Sequence, residues 1–83
     1  MNRYQRPVVQ VVGHTDNYGA ATDNRLLSLA RSAAVVDYLM ASGIDAGRLR
    51  ALGVGDADPI ASNATEFGRR QNRRVEFRVS ENF

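Results

Sequence analysis

The first apolar cluster of the chain is Val8, Val9, Val11 and Val12 around a single polar residue, Gln10. A short β-branched run that stops at turn formers predicts a buried strand over residues 8–12. The loop Gly13-His14-Thr15-Asp16-Asn17-Tyr18-Gly19 follows, rich in turn residues and in side chains that donate and accept hydrogen bonds. Beyond it the hydrophobic period changes. Leu26, Leu29, Ala30, Ala33, Val36 and Met40 recur at three- and four-residue spacing, which predicts a helix with these side chains as its core-facing stripe. Leu27, Val35, Tyr38 and Leu39 widen the apolar surface, so this helix is expected to be covered on more than one side. Thr22 or Asp23 supplies the N-cap, and Gly43 the stop, with Ile44 closing a C-terminal hydrophobic contact.

Downstream, Asp45 caps one helical turn through Arg48, and a strand runs from about Leu49 to Val54, ending at Gly55. Residues Asp56 to Asn72 read as a loop broken by Pro59, Asn63 and Gly68, with a short helical turn around Glu66 to Gln71. In the last segment Val75, Phe77 and Val79 alternate with Glu76, Arg78 and Ser80, the pattern of a strand with one face on a core and the other in water. The order strand, helix, strand, strand predicts an α+β fold, a two-layer sandwich of helix on sheet. With no internal repeat and no break in composition, residues 1–83 are expected to form one domain.

Composition narrows the picture further. At 83 residues and 43% hydrophobic, the chain suffices for one small core and is too short for two. It has no cysteine, so no disulfide adds to that core and compartment redox gives no clue. The net charge is +2, and all eleven basic residues are arginine. Guanidinium forks suit carboxylates and phosphates, although a general composition bias accounts for the missing lysine equally simply. No apolar run approaches the roughly 20 residues needed to span a bilayer. The opening MNRYQRPVV has no signal-peptide hydrophobic region, so direct membrane insertion by this chain is not expected and an export signal would belong to a longer parent protein.

Candidate chemistry centres on the loop and the start of the helix. Asn24, Ser28 and Arg31, at i, i+4 and i+7, form a polar seam beside the leucine stripe. Thr15 and Asp16 leave the first strand close to where that helix begins, facing the seam. A carboxylate and a guanidinium lining one cleft suit a zwitterion, Asp16 accepting from an ammonium and Arg31 gripping a carboxylate in bidentate fashion. The plainer alternative stays open: Asp16 and Arg31 pair with each other as an ordinary salt bridge of little energetic worth.

The string Gly13-His14-Thr15-Asp16, then Asn24, Leu27-Ser28-Leu29-Ala30-Arg31, Val35 and Tyr38-Leu39, resembles the GHTD and N-x-x-LS-x-x-R-x-x-x-V-x-x-YL pattern of OmpA-like C-terminal domains. The resemblance continues in order through Gly53-Val54-Gly55, Asp58-Pro59-Ile60-Ala61, Asn63, Thr65, Gly68-Arg69 and Asn72-Arg73-Arg74-Val75-Glu76. That family includes the periplasmic domain of the OmpA porin, the peptidoglycan-associated lipoprotein and the anchor of flagellar stators. The resemblance implies a non-catalytic periplasmic module that binds peptidoglycan noncovalently and tethers a parent protein or the outer membrane to the cell wall. It also implies that Asp16 and Arg31 hold the amine and carboxylate of diaminopimelate in the stem peptide, with Thr15, Asn24, Leu27 and Arg73 shaping the pocket. Two departures stand out. Ser32 replaces the alanine that usually follows the motif arginine. The strand and helix that normally precede the GHTD strand have only Met1 to Pro7 in their place, which predicts a fold truncated to β-α-β-β. An open sheet edge and uncovered helix surface would follow, and with them a homodimer or swapped assembly.

Other function classes find less support. His14 is the sole histidine, no serine sits in G-x-S-x-G, and no ligand spacing marks a metal site, so no catalytic residue, metal or cofactor is expected. The run Arg69-Arg70-Gln71-Asn72-Arg73-Arg74 is the one feature suggesting nucleic acid, but it has no aromatic platform and is flanked by Glu66 and Glu76, so no nucleic-acid partner is expected. The sequon at Asn63 reads as loop composition. The serious alternative is a truncated domain that keeps its fold and a structural or oligomerising role without binding ligand.

Overall fold

The computed structural model describes residues 7–80. Its elements are strand β1 (Val8–His14), helix α1 (Ala21–Ala41), a 3-10 turn (Ala46–Arg48), strand β2 (Leu49–Gly55), helix α2 (Glu66–Asn72) and strand β3 (Val75–Ser80). β1 is central: it pairs in parallel with β2 and antiparallel with β3, giving the order β2-β1-β3. The parallel pair is joined through α1, the usual crossover for parallel neighbours. This is the helix-on-sheet α+β arrangement expected from the pattern of the chain.

The N-terminus of α1 differs in detail from the expectation. Ala20 is the N-cap and has no side-chain capping bond, so Thr22 and Asp23 lie inside the first turn, where Asp23 complements the helix dipole. The C-terminus is as read. Gly43 takes a φ of 105°, the Gly43 N–H donates to Met40 O at 3.0 Å and the Ile44 N–H to Leu39 O at 3.1 Å, a Schellman stop that needs a left-handed residue. Asp45 caps the 3-10 turn by accepting from the Gly47 N–H at 3.1 Å.

The face that α1 lays on the sheet is not the leucine stripe. Asn24, Ser28 and Ser32, spaced i, i+4 and i+8, are the buried residues of this helix, whereas Leu26 is 62% exposed and Leu29 42%. The cause lies in the strands beneath. Gly13 and Gly53 are register partners in β1 and β2. A Cβ on Gly13 would fall on the Ser28 carbonyl oxygen and within 2.7 Å of Ser32 Oγ; one on Gly53 would lie 2.6 Å from Leu29 Cα and 2.7 Å from Ser28 Oγ. Helix backbone therefore rests almost directly on sheet backbone, leaving room for serine and none for leucine. The buried hydroxyls are satisfied by the same closeness: Ser32 Oγ donates to Leu52 O at 2.8 Å, while Ser28 Oγ donates to Arg25 O at 2.8 Å and accepts from the Gly55 N–H at 2.9 Å. Ser32 thus bonds directly to the sheet backbone.

Val11 on the same sheet face as Gly13, Val12 on the other, and Leu49 complete the buried apolar core among the described residues. α1 packs over β2 and β1. On β3, Phe77 and Val79 pair in register with Val11 and Val9, yet stay 59% and 64% exposed, because the helix does not extend across that strand.

The glycine contact yields a direct test. Gly53→Ala should lower stability by about 1–3 kcal/mol through overpacking, read as a reduced urea midpoint at unchanged slope. An unaltered midpoint would show that the helix–sheet separation is not set at this residue.

Candidate functional site

The end of β1 is pinned on both sides. The His14 N–H donates to Arg74 O at 2.8 Å and the Thr15 N–H to Gly55 O at 2.9 Å, so the chain leaves the sheet at a fixed point and Asp16 follows at once. Three bonds then set Asp16. Thr15 Oγ1 donates to its carbonyl at 2.8 Å, Asn24 Nδ2 to the same carbonyl at 3.3 Å, and the Tyr18 N–H to Asp16 Oδ1 at 3.0 Å. The last is an Asx-type turn of the kind that glycine- and asparagine-rich loops favour.

The opposite wall comes from α2. Thr65 caps it by accepting from the Gly68 N–H at 3.0 Å, and Gly68 lets the helix lie against the Ser62 backbone, where a Cβ would overlap the carbonyl. Asn72 is fully buried. Its Oδ1 accepts from the Ile60 and Ala61 N–H groups at 2.8 and 3.0 Å, and its Nδ2 donates to Ala61 O at 3.0 Å and Asn63 Oδ1 at 2.8 Å. One side chain therefore fixes the loop before α2 to its end.

Between these walls lies a cleft of about 610 Å³. Asp16, Asn17, Tyr18 and Gly19 form one side, and Asn63, Glu66, Arg69 and Arg73 the other. Charges of alternating sign run across it. Arg73 Nη1 donates to Asp16 Oδ2 at 2.6 Å and Arg73 Nη2 to Glu66 Oε2 at 2.7 Å; Arg69 Nε donates to Glu66 Oε1 at 3.2 Å and Arg69 Nη1 to Asn63 O at 3.0 Å. Two carboxylates and two guanidiniums leave the cleft formally neutral.

Burial pushes the Asp16 carboxyl upward, but the Tyr18 N–H and the Arg73 guanidinium outweigh it and hold the group below its ordinary 3.8. Glu66 is also lowered, chiefly by its hydrogen bond from Arg73. Both carboxylates are charged at neutral pH. His14 is buried beside Glu76, 3.4 Å from its Oε1 but without hydrogen-bond geometry, and neither ring nitrogen has a partner among the described residues. Burial, then Arg74, lowers its pKa, so the ring is neutral in the working range.

Of the six residues expected at the site, the structure gathers four. Asp16 and Arg73 line the cleft, and Thr15 and Asn24 are buried behind it on the Asp16 carbonyl. Leu27 and Arg31 sit four residues apart on α1, both exposed, and neither lines the cleft. Asp16 pairs with Arg73, and no ion pair with Arg31 forms among the described residues. Sequence reasoning missed Glu66 and Arg69. Their signal was the i, i+3, i+7 spacing of Glu66, Arg69 and Arg73, which puts all three on one face once residues 66–72 form a helix. The remaining arginines of that run turn inward in part, Arg74 donating to Glu76 Oε2 at 2.7 Å and to Asp58 O at 3.0 Å.

The profile of the OmpA family matches residues 1–73. This chain belongs to the OmpA family. The probable lipoprotein YiaD of Escherichia coli is 44% identical over 80 residues, covering 96% of this chain and 36% of that protein. The peptidoglycan-binding protein ArfA of Mycobacterium tuberculosis is 46% identical over 72 residues, 87% of this chain and 22% of that one. Among solved structures, the peptidoglycan-associated lipoprotein of Burkholderia pseudomallei superposes with a TM-score of 0.86 at 27% identity, over 89% of this chain and 63% of its own. The cell wall anchor of the type VI secretion system of Pseudomonas aeruginosa gives 0.80 at 44% identity, over 94% and 57%. The OmpA-family chain thus spans about a fifth to a third of these curated relatives.

Acid should weaken the cleft before it weakens the core. A carboxyl held below its unfolded value adds stability above that value and loses it as pH falls through the folded one. Asp16 and Glu66 act in this sense, so stability should fall as pH drops below about 4, and Arg73→Gln should make that fall shallower. Urea midpoints across the acid range check this; parallel curves for both proteins would remove the Arg73 linkage.

Proposed function

We propose that this OmpA-family chain binds peptidoglycan noncovalently in the periplasm, recognising the diaminopimelate of the stem peptide and anchoring a longer parent protein or the outer membrane to the cell wall. The observation that carries the reading is Asp16 at the mouth of the cleft: its side chain is only a tenth exposed, its backbone carbonyl accepts from Thr15 and Asn24 and its charged carboxylate from the Tyr18 N–H. A ligand ammonium placed there gains a charge-assisted bond to an acceptor that is already oriented. Arg31 takes the ligand carboxylate from the exposed face of α1, Leu27 packs beside it, Thr15 and Asn24 hold the Asp16 backbone, and Arg73 borders the pocket. The kinship with ArfA, named for peptidoglycan binding, supports the same assignment. Residues 1–83 would then act as one cell-wall module without catalysis or a cofactor.

Soluble muropeptides titrated into labelled protein test this directly. Diaminopimelate-containing muropeptides should bind, their lysine-containing counterparts should bind at least about tenfold more weakly, and Asp16→Ala and Arg31→Ala should each abolish measurable binding, since truncating one partner of a charged pair costs several kcal/mol. A folded wild type that binds neither ligand would instead assign the chain a structural role.

We further propose that the chain self-associates through β3. Among the described residues this strand pairs on one side only, and Phe77 and Val79 stand exposed beside the free edge, the combination that recruits another strand. Sedimentation velocity should show a mass that rises with concentration and a monomer for Val79→Lys. A folded wild-type monomer throughout would remove self-association and leave ligand binding untouched.

A further inference from the structure

The Asp16 carboxylate that the proposed ligand needs is already occupied. Arg73 Nη1 sits 2.6 Å from Asp16 Oδ2, so an incoming ammonium must take the place of a guanidinium. Turned loose into a partly closed cleft, Arg73 would oppose the exchange twice, by losing its partner and by leaving a like charge beside the ammonium.

The second carboxylate of the cleft meets that need. Glu66 Oε2 accepts from Arg73 Nη2 at 2.7 Å while Asp16 is still engaged, and Glu66 Oε1 accepts from Arg69 Nε at 3.2 Å. The two Arg73 nitrogens are thus divided between two carboxylates. Glu66 is itself 54% exposed and is carried on the first turn of a helix fixed by the Thr65 cap and the Asn72 staple. Asp16, by contrast, is nearly enclosed. A small rotation of the guanidinium about its bond to Glu66 vacates Asp16 Oδ2 without leaving Arg73 unpaired.

We propose that Glu66 is a positioning residue for ligand entry: it retains Arg73 when a primary ammonium displaces that arginine from Asp16. This rests on the diaminopimelate reading and adds to it a carboxylate that does not touch the ligand. It also accounts for the alternating charge across the cleft. One cationic group can enter at Asp16 while every resident charge keeps a neighbour of opposite sign: Arg73 keeps Glu66, and Arg69 keeps Glu66 and the Asn63 carbonyl.

A double-mutant cycle with the full chain tests it, with the diaminopimelate muropeptide as probe and titration calorimetry as readout. Glu66→Gln should weaken binding about three- to tenfold, the scale of a partly exposed, charge-assisted pair. The same change in an Arg73→Gln background should alter affinity less than about twofold, because no displaced guanidinium is left to hold. A muropeptide acetylated at the free amine of its diaminopimelate, which cannot carry the ammonium, should show no difference between the two Glu66 forms. Equal binding by wild type and Glu66→Gln, or equal weakening with and without Arg73, would overturn the role of Glu66 while leaving the diaminopimelate reading in place. A folded wild type that does not bind overturns both.

Discussion

Backbone contact between α1 and the strands beneath it fixes this molecule. Because Gly13 and Gly53 present no Cβ, the helix sinks until its own carbonyls and serine hydroxyls touch the sheet, and from that depth the rest of the geometry follows. Ser32 and Ser28 reach the carbonyl of Leu52 and the amide of Gly55. One turn earlier, Asn24 is brought under the Asp16 carbonyl. A helix held farther out by side chains at the two glycine positions would leave those polar groups buried without partners, each at a cost of about 1–3 kcal/mol.

The same depth explains the distribution of apolar surface. A helix seated on its narrow, small-residue face turns its larger side chains sideways and outward, so Leu26, Tyr38 and their neighbours remain exposed. The sheet repeats this imbalance at β3, where Phe77 and Val79 lie on the side that α1 would cover if it reached so far. This exposed apolar area borders the outer edge of β3, unpaired among the described residues, rather than the charged cleft.

The cleft is built on a different principle. Its walls come from segments far apart in sequence, the loop after β1 and helix α2, and the Arg73–Asp16 ion pair bridges them. Exposed ion pairs are individually weak. Here the supporting structure is made by neutral bonds, the Asn72 staple and the Thr65 cap behind α2 and the Tyr18 and Asn24 bonds behind Asp16. The charges are therefore positioned by the scaffold and do not have to maintain it, which leaves them able to exchange partners.

The sequence by itself determined what depends on local pattern. The strand around Val11, the Schellman stop at Gly43, the Asp45 turn and the strand over β3 all appear where near-neighbour chemistry places them, because each is set by residues within a few positions of one another; the apolar face expected of β3 is not buried, since α1 does not cover Phe77 and Val79. The ordered motifs from Gly13 to Glu76 likewise sufficed to place the chain in its family. Only the tertiary structure decided which side of α1 is buried. Hydrophobic periodicity pointed to the leucines, yet whether a side chain fits depends on the glycines of two strands across the interface, and no window on α1 contains them. The partner of Asp16 was hidden for the same reason: Arg73 is 57 residues away, and its approach depends on where Asn72 and Gly68 set α2 against the loop. Charge can be counted along a chain, but which charges meet is settled by the fold that brings them within reach.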